Sequence, residues 1–597
     1  MRPLYASSRA LKDTRAPLAL FSRNGPRRSL HDHARRFDAA VIGGGITGLT
    51  AAYRLSKDPL CSNITLYEKA PRVGGWLESE IINVDGGDIV FEYGPRTLRL
   101  STSSIPLLDL LADLDLEDDM LVTPRTAPAA QNRYIYYPDH LVRVPAPQKG
   151  VSPITQITTL LSTLLREPLF ETFLWSLITE AFKEPLPNMP EDESVTDFIS
   201  RRWSPEVANN LVSSMYHGIL AGDIDKLSAE AFLGSVRLTE KKGKSVIAGF
   251  IEKTRAGRML VSTDDNIAAI ILGKTKPLGY IKSMEDLVQN GSTLTLRRGV
   301  GQLTDTLVTA LKQSNKVQVL TNANVTSIRQ DSQGPKLTVE CDGKSRRHDR
   351  LIATNPAPSL ATQLQYNGPD RNAKKPTRTI DALKAHNYAT TTMVVNLYYP
   401  NPHLLPVRGF GYLIPKTIPY GQNPERALGV IFASESSVGQ DTAPGTKLTI
   451  MMGGHYWDGW KESDYPDHEA AVAMAQSLLK RHLGITDSPT VTRSRLQRNA
   501  IPQPTVGHVE RMKYLSRAIK DEFDQRITLA GAWYAMGGTG VVDSVRQAYL
   551  AAAYGVRPFN PDDFRPVPAS MHWEQEGGII NVHDRVFSRT RGQRSGL

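Results

Sequence analysis

The sequence predicts a mixed α/β and α+β protein in which a Rossmann-like nucleotide-binding domain is discontinuous along the chain. A glycine-rich turn near residue 43 joins an apolar strand pattern to a helical pattern, and a second such turn occurs near residue 531. Helical patterns and then β-rich patterns lie between the two turns. A chain of 597 residues exceeds one ordinary core, so we expect several domains.

The first turn belongs to a complete strand, helix and strand pattern. Residues 37–42 have the apolar character of a buried strand, residues 43–48 carry the spaced glycines, and residues 49–57 form the helical pattern. Residues 63–69 then predict a second strand with Glu68 at its end. A glycine motif alone is weak, but this combination predicts a dinucleotide-binding unit.

Each conspicuous residue of this unit has a physical reason. Gly43 permits the tight turn, Gly45 removes a side chain where a pyrophosphate approaches, and Gly48 lets the helix pack closely on the strand. The N-terminus of the helix offers backbone N–H groups to phosphate. Glu68 follows Gly48 at the distance where a carboxylate accepts hydrogen bonds from the adenosine ribose.

Two further glycine-rich segments indicate which dinucleotide is bound. Residues 72–76 (RVGGW) follow Glu68, and residues 529–541 (LAGAWYAMGGTGV) lead into a helical pattern. Both resemble segments of flavoproteins of the amine oxidase clan, which implies FAD as the cofactor. No cysteine lies near Gly531, so we expect the flavin to be bound non-covalently.

Several separate motifs narrow the resemblance to one family. They are residues 74–76 (GGW), 92–99 (EYGPRTLR), 130–135 (AQNRYI), 222–228 (GDIDKLS) and 409–415 (GFGYLIP). In this order they resemble the protoporphyrinogen oxidase family in its mitochondrial form, over roughly residues 38–560. The resemblance implies oxidation of protoporphyrinogen IX to protoporphyrin IX in haem synthesis, with O2 as the electron acceptor and H2O2 as the by-product.

The resemblance also implies the cofactor contacts, position by position. These residues lie in the glycine segments, at the ends of strands or next to the 92–99 motif. The expected FAD-binding residues are Gly43, Gly44, Gly45, Ile46, Thr47, Gly48, Glu68, Lys69, Trp76, Gly94, Pro95, Arg96, Thr97, Val325, Ala532, Thr539, Gly540 and Val541.

Five residues are implied at the substrate side. Arg133 matches a family arginine that pairs with a propionate, which suits the planar fork of a guanidinium. Leu413 and Phe432 are expected to sandwich the macrocycle, although an ordinary core position fits them equally well. Ala221 and Gly222 would bring backbone against a ring. Hydride transfer to the flavin followed by loss of an N–H proton needs no side-chain nucleophile, so we assign no catalytic acid or base, and we expect no metal.

The net charge of +10 is concentrated at the two ends of the chain. Residues 1–36 hold nine Lys or Arg and two Asp, and residues 585–597 hold four Arg and no acid, so the body is nearly neutral. An Arg-rich, Ser-containing, acid-poor N-terminus predicts a mitochondrial presequence, the alternative being a disordered basic arm. The charge therefore indicates no nucleic-acid partner. Two cysteines exclude a disulfide framework.

The motif positions predict the domain limits. We expect the FAD-binding domain at 37–125, 293–365 and 495–565, a helical insertion at 126–292, a substrate-binding domain with a mixed sheet at 366–494, and a tail at 566–597. Ile157, Leu161 and Leu164 in the insertion have helical spacing and Trp175 lies at an edge. Such a stripe is usually core, but the resemblance implies a membrane-binding domain on a monotopic protein of the mitochondrial inner membrane.

Two other functions share parts of this pattern. An amine or polyamine oxidase has the same cofactor architecture, and carriers of the GDP-dissociation inhibitor type use a related fold without flavin turnover. The intact glycine motif, Glu68 and the second glycine-rich turn argue against a carrier. The family resemblance further implies a homodimer and contact with the next enzyme of haem synthesis.

Overall fold

The computed structural model describes residues 36–146, 151–241, 245–255, 260–262, 277–331, 334–365, 375–555 and 579–581. The predicted presequence, apart from Arg36, and the predicted tail, apart from residues 579–581, lie outside these ranges. The predicted α/β and α+β class is confirmed: one sheet is wholly parallel and another mixes both strand directions.

The parallel sheet is built from stretches that are far apart in sequence. All four of its pairings are parallel, so the carboxyl ends of its strands meet at one edge, where such sheets bind ligands. Its strands, in spatial order, are Val317–Leu320, Cys61–Tyr67, Phe37–Ile42, Arg350–Ala353 and Ile527–Leu529.

The predicted strand, helix and strand unit is present, with shifted limits. The helix runs over Ile46–Ser56, so it begins within the glycine turn rather than after it. The second strand, Cys61–Tyr67, ends one residue before Glu68. Glu68 therefore stands just beyond the carboxyl edge of the sheet, facing the turn that follows the first strand.

A seven-stranded mixed sheet forms the second large layer. Two of its strands, Tyr134–Tyr136 and Leu141–Arg143, come from the segment that the sequence assigned to the helical insertion. They join because Tyr134 and Ile135 pair in parallel with Tyr412 and Leu413. In spatial order the strands are Val491–Pro502, Ala389–Tyr399, Thr446–Gly453, Ala427–Phe432, Gly411–Leu413, Tyr134–Tyr136 and Leu141–Arg143.

Buried ion pairs join several of the helices between residues 153 and 255. Arg202 and Glu180 pair with almost no solvent exposure, and Glu180 also accepts backbone hydrogen bonds from Val246 and Ile247. Such a network fixes one helix arrangement, since removing one partner would leave a buried charge. The helices are Pro153–Arg166, Phe173–Glu180, Val195–Arg202, Ser213–Leu220, Ala229–Lys241 and Val246–Arg255, with a π-helical stretch at Val207–Val212.

The remaining elements connect and cover these layers. Small antiparallel sheets comprise Leu98–Arg99, Gly291–Leu296 and Met120–Pro124; Val325–Gln330, Leu337–Cys341 and Lys344–His348; Ser79–Val84 and Gly87–Glu92; and Leu260–Ser262 and Ile579–Asn581. The helices are Ile105–Asp113, Pro128–Gln131, Leu278–Asn290, Gly301–Gln313, Ala357–Leu364, Thr377–Lys384, Ala433–Ser436, His468–Leu483, His508–Glu522 and Val541–Leu550. Within the described ranges, no helix has the length and apolarity that crossing a bilayer requires.

Candidate flavin and substrate site

The turn after the first strand is too tight for side chains. Gly43 has φ +106°, a left-handed conformation that favours glycine, and its N–H donates to the Tyr67 carbonyl at 2.8 Å. A Cβ on Gly48 would overlap the carbonyl oxygen of Gly43. The Thr354 hydroxyl, just past the neighbouring strand, donates to the Ile42 carbonyl at 2.9 Å. The turn is thus packed tightly on its protein side.

The opposite side of the turn is open. A Cβ on Gly45 would meet nothing closer than the Cα of Gly75, 4.0 Å away. Gly45 is also the N-cap of the Ile46–Ser56 helix, and no side chain of the described chain caps it. The first N–H groups of that helix, at Ile46 and Thr47, therefore have no intrahelical acceptor and suit an anion.

Glu68 closes one end of this open turn. Its carboxylate accepts hydrogen bonds from the backbone N–H groups of Gly44 at 2.6 Å and Ala70 at 2.8 Å. A carboxylate has about four acceptor positions, so two are left for other donors. The Glu68 carbonyl accepts from Ala323, two residues before the buried Val325. Val325 thus lies beside Glu68, while Lys69 is exposed.

The second glycine pair and the 92–99 motif lie next to this turn. The Gly74 N–H donates to the Gly44 carbonyl at 2.7 Å, so the two glycine segments run side by side. A Cβ on Gly94 would overlap the Trp76 carbonyl oxygen. The absence of a side chain at Gly94 therefore lets the 92–99 motif lie directly against the Trp76 backbone. The Trp76 side chain is exposed, and Pro95 and Thr97 are half-buried on either side of Arg96.

Arg96 is a buried arginine with an unused donor. Its side chain is 6% exposed, and its Nη1 has no hydrogen-bond partner among the described atoms. Burial lowers the pKa of Arg96 to about 10, and the nearby Glu92 opposes the shift. Burial also raises the pKa of Glu92 to about 7. An unpaired buried guanidinium edge next to the glycine turns indicates a missing hydrogen-bond acceptor.

The C-terminal glycine segment lies beside the other two. Together, the turn at Gly43–Gly48, the Gly74–Gly75 segment and the segment that begins at Gly531 are called the glycine cradle. Gly531 has φ +104°, and a Cβ there would approach Thr47 Oγ1 to 3.2 Å, so this segment lies against the first helix. Its N–H donates to the Gln547 side chain at 2.9 Å. Ala532 begins a short 3-10 turn, and Thr539 and Gly540 lead into the uncapped N-terminus of Val541–Leu550.

Two buried histidines, which the sequence analysis did not find, hold this segment in place. His386 Nε2 contacts the Trp533 carbonyl at 2.6 Å, and His508 Nε2 contacts the Ala535 carbonyl at 2.6 Å. Because a carbonyl only accepts, each Nε2 carries the hydrogen. Burial lowers the pKa of His386 and lowers that of His508 to about 4, so both rings are neutral at pH 7. No local motif marks these residues, because the contacts span 147 and 27 positions.

Thr354 and Asn355 were also missed, although the sequence carries a signal for them. They follow the apolar strand Arg350–Ala353 directly, and polar residues at that place lie on the carboxyl edge of a parallel sheet. The Asn355 carbonyl accepts from the Tyr534 hydroxyl at 2.9 Å, and Asn355 Oδ1 is buried without a partner among the described atoms.

Arg133 lies at the start of the added strand Tyr134–Tyr136. It is exposed, and its guanidinium carbon lies 5.8 Å from the centre of the Phe410 ring. Partial desolvation, and secondarily the positive charge of Arg99, lower its pKa. Asn132 fixes the local backbone, since its carbonyl accepts from Phe410 N at 2.9 Å. Among the described residues, no carboxylate lies within ion-pair distance of Arg133.

Leu413 and Phe432 lie on opposite faces of the seven-stranded sheet. The register pairs Leu413 with Gly429 and Tyr412 with Val430, so alternate residues face opposite ways. Leu413 is half-buried, and its side chain covers Gly218 and Gly429. Phe432 is fully buried beside Tyr412 in the core. The structure therefore does not bring the two expected sandwich residues onto one surface.

Ala221 and Gly222 lie close to the Leu413 surface. Ala221 ends the Ser213–Leu220 helix in a left-handed conformation with φ +52°, and its carbonyl accepts from His455 N at 2.9 Å. A Cβ on Gly222 would overlap the Gln503 side chain. Ala221 is thus packed against the loop that follows the strand Thr446–Gly453, and Gly222 is packed against Gln503.

A pair of histidines, the buried His217 and the half-buried His455, lies between these elements. His217 Nδ1 contacts the Ile414 carbonyl at 2.7 Å, and His217 Nε2 lies 2.9 Å from His455 Nε2. The carbonyl requires a hydrogen on His217 Nδ1, so His217 Nε2 accepts the hydrogen of His455 Nε2. Burial lowers the pKa of His217 to about 3 and that of His455 to about 4, which keeps both rings neutral. Among the described residues, no group of His, Cys, Asp and Glu is arranged to hold a metal ion.

The fold and the glycine cradle define a flavin-dependent oxidoreductase. Residues 46–554 match the family described as "Flavin containing amine oxidoreductase". Its cofactor is FAD. The open side of Gly45, the uncapped helix N-termini and the unpaired Arg96 Nη1 fit the phosphates and polar edges of that cofactor.

Curated relatives give the narrower assignment. The protoporphyrinogen oxidase of Schizosaccharomyces pombe is 32% identical over 521 residues, which cover 86% of this chain and 97% of the relative. The protoporphyrinogen oxidase of Homo sapiens is 30% identical over 515 residues, with the same coverages of 86% and 97%. The chain therefore belongs to the protoporphyrinogen oxidase family.

Solved structures agree on the fold. The crystal structure of an Exiguobacterium sp. 255-15 protein matches with a TM-score of 0.61 at 21% identity, covering 86% of this chain and 97% of that one. Reduced UDP-galactopyranose mutase matches with a TM-score of 0.58 at 14% identity, covering 87% and 95%. At these identities the likeness shows the shared fold alone.

Gly48→Ala is expected to abolish flavin binding, because the added Cβ would overlap Gly43 and open the turn. The measurement is the flavin-to-protein absorbance ratio of the purified variant. Gly279→Ala is the matched control, since a Cβ there meets nothing within 4 Å. A Gly48→Ala protein with the full flavin content would contradict this account of the turn.

The buried neutral histidines predict acid lability. The pKa of His508 is about 4 in the folded protein and near 6.5 when exposed, so the unfolded chain binds the extra proton between these values. Stability is complete above about pH 6.5 and falls as the pH drops towards 4. His508→Gln, which keeps a donor for the Ala535 carbonyl, should show a flatter decline of the unfolding midpoint between pH 7 and 5.

His403→Gln is the control for that measurement, because His403 is exposed. Its unfolding midpoint should follow the wild-type pH profile. If the unfolding midpoint of His508→Gln had the same pH profile as that of the wild type, protonation of His508 would not contribute to the loss of stability in acid.

Proposed function

We propose that this protein oxidises protoporphyrinogen IX to protoporphyrin IX, with O2 as the electron acceptor, in haem synthesis. The supporting observation is 32% identity to the fission yeast protoporphyrinogen oxidase across 97% of its length. Each of three rounds removes one hydride from carbon and one proton from nitrogen. Three O2 molecules then yield three H2O2, which balances the six electrons and six hydrogens. When bound, FAD accepts two electrons at a time and passes them to O2.

The chain's own residues hold the cofactor and orient the substrate. The helix N-terminus at Ile46 and Thr47 neutralises pyrophosphate charge, Glu68 accepts hydrogen bonds from ribose, and Arg96 Nη1 donates to a polar edge of the cofactor. His386 and His508 fix the segment 533–535 through its carbonyls. This rigid placement is what hydride transfer demands of a protein, because small misplacements cost rate.

Arg133 receives a propionate of the substrate. Its guanidinium is exposed, has no competing acid among the described residues, and is positioned by Phe410 and the Asn132 backbone. A guanidinium binds a carboxylate through two parallel hydrogen bonds. Leu413, Ala221 and Gly222 form the adjoining apolar surface, whereas Phe432 supports it from the core.

The helical segment after residue 151 binds a membrane surface. Four side chains on or near the helices Pro153–Arg166 and Phe173–Glu180 are strongly exposed: Ile154 at 76%, Leu165 at 74%, Trp175 at 69% and Phe182 at 82%. Large apolar side chains with this exposure suit a bilayer interface, where tryptophan is favoured. We propose a monotopic protein of the mitochondrial inner membrane, acting as a homodimer.

Purified holoprotein mixed with protoporphyrinogen IX in air should generate porphyrin fluorescence well above the spontaneous rate. The increase should require bound flavin, so the Gly48→Ala protein serves as the negative control. Oxidation of an amine substrate without any acceleration of porphyrin formation would reject the proposed function and favour an amine oxidase.

Replacing Leu165 and Phe182 by Ser should weaken co-sedimentation with phosphatidylcholine and cardiolipin vesicles by tenfold or more, since roughly 1.5–3 kcal/mol accompanies burial of each side chain. The visible flavin content should stay unchanged, because neither residue contacts the cofactor cradle. Tyr514→Ser is the matched control, being 50% exposed on a helix elsewhere in the chain. Unaltered vesicle binding of the double variant would contradict the membrane assignment.

A further inference from the structure

Arg426 is a half-buried arginine whose guanidinium lies over two tyrosine rings. Its guanidinium carbon lies 5.0 Å from the centre of the Tyr420 ring and 5.5 Å from that of Tyr456. Tyr420 is 63% exposed, so one side of this arrangement opens to solvent. Among the residues that the structure describes, none supplies Arg426 with a carboxylate at ion-pair distance.

The acidic residue nearest to Arg426 in sequence already has an arginine partner. Glu425, next in sequence, receives both Nη atoms of Arg481 at 2.8 and 2.9 Å, so its charge is already used. The two tyrosine rings provide cation–π attraction, but they cannot accept the hydrogen bonds that the N–H edge of a guanidinium makes with a carboxylate. That edge is the part that binds a carboxylate through two parallel hydrogen bonds.

The backbone holds Arg426 close to the candidate substrate surface. Its φ is +54°, and its carbonyl accepts from Gly453 N at 2.9 Å. The Tyr456 ring lies 4.2 Å from the His455 ring, and His455 N donates to the Ala221 carbonyl. One aromatic ring and one histidine thus separate Arg426 from Ala221.

Arg426 and Arg133 lie at opposite ends of one strand pair. Tyr134 is in register with Tyr412, which places Arg133 at the starting end of the strand Gly411–Leu413. Leu413 is in register with Gly429, which places Arg426 beyond its end. The apolar surface at Leu413 is therefore flanked along the strands by two arginines without carboxylate partners in the described chain.

We propose that Arg426 is a second carboxylate-binding residue of the substrate site and holds a propionate that Arg133 does not. This inference rests on the proposed function, since protoporphyrinogen IX carries two propionates. Contact with the two tyrosines restricts the guanidinium, so that less freedom is lost when the carboxylate binds. Arg426 is a binding residue and takes no part in hydrogen removal.

Equilibrium binding tests this directly. Protoporphyrin IX and its dimethyl ester are titrated into the wild-type holoprotein, Arg426→Gln and Arg426→Lys, and porphyrin fluorescence is followed. Arg426→Gln should weaken binding of the free acid roughly tenfold to a hundredfold, as expected for a lost charged hydrogen bond. The ester should bind equally to wild type and variant, and Arg426→Lys should recover part of the affinity for the acid.

Arg498→Gln is the control, because Arg498 is exposed, pairs with Glu462 and lies on the strand Val491–Pro502. It should leave both affinities unchanged. Equal weakening for acid and ester in Arg426→Gln would indicate a packing role and overturn the proposal, as would an unchanged affinity for the acid.

Turnover measurements distinguish a failure of this inference from a failure of the proposed function. With protoporphyrinogen IX as substrate, Arg426→Gln should raise KM while kcat and flavin content stay near wild type. If the wild type fails to accelerate porphyrin formation, the proposed function is wrong, and the binding titration alone then decides whether Arg426 recognises a carboxylate.

Discussion

The whole arrangement depends on close contact between backbones at the carboxyl edge of the parallel sheet. The turn at Gly43 to Gly48 must pass beside the Gly74 segment on one side and the Gly531 segment on the other. Only glycine permits this approach, because added side chains would overlap carbonyl oxygens or a neighbouring threonine. These contacts draw three remote stretches of sequence into one cradle and leave helix N-termini facing its open side.

That cradle also determines where the rest of the machinery lies. Residues 533–535 follow Gly531 and are tied down by His386 and His508, which connect the cofactor side to the helix His508–Glu522 and to the chain entering the large sheet. The proposed substrate surface is built on that sheet from Leu413 and on the helix end at Ala221. In the proposed arrangement, a flavin cradle adjoins an apolar surface that Arg133 and Arg426 flank.

The sequence predicts the cofactor side better than the substrate side, for a physical reason. A glycine turn, a strand and an acid at fixed spacing form a local pattern, so Gly43, Gly48 and Glu68 were recognisable from the sequence. Residues 134–136 were assigned to a helical insertion because a three-residue strand has no clear periodicity, and its pairing with 411–413 is remote. The placement of Phe432 on the core face depends on sheet register, which sequence alone does not fix.

In the proposed function, the glycine cradle holds a flavin that protoporphyrinogen IX reduces directly. Anaerobic mixing of the purified holoprotein with protoporphyrinogen IX, followed by visible absorbance, tests it without a coupled assay. We expect loss of the oxidised flavin band at a rate that rises with substrate concentration, and its return when air is admitted. A flavin band that persists unchanged beside excess substrate would show that protoporphyrinogen IX does not reduce the flavin.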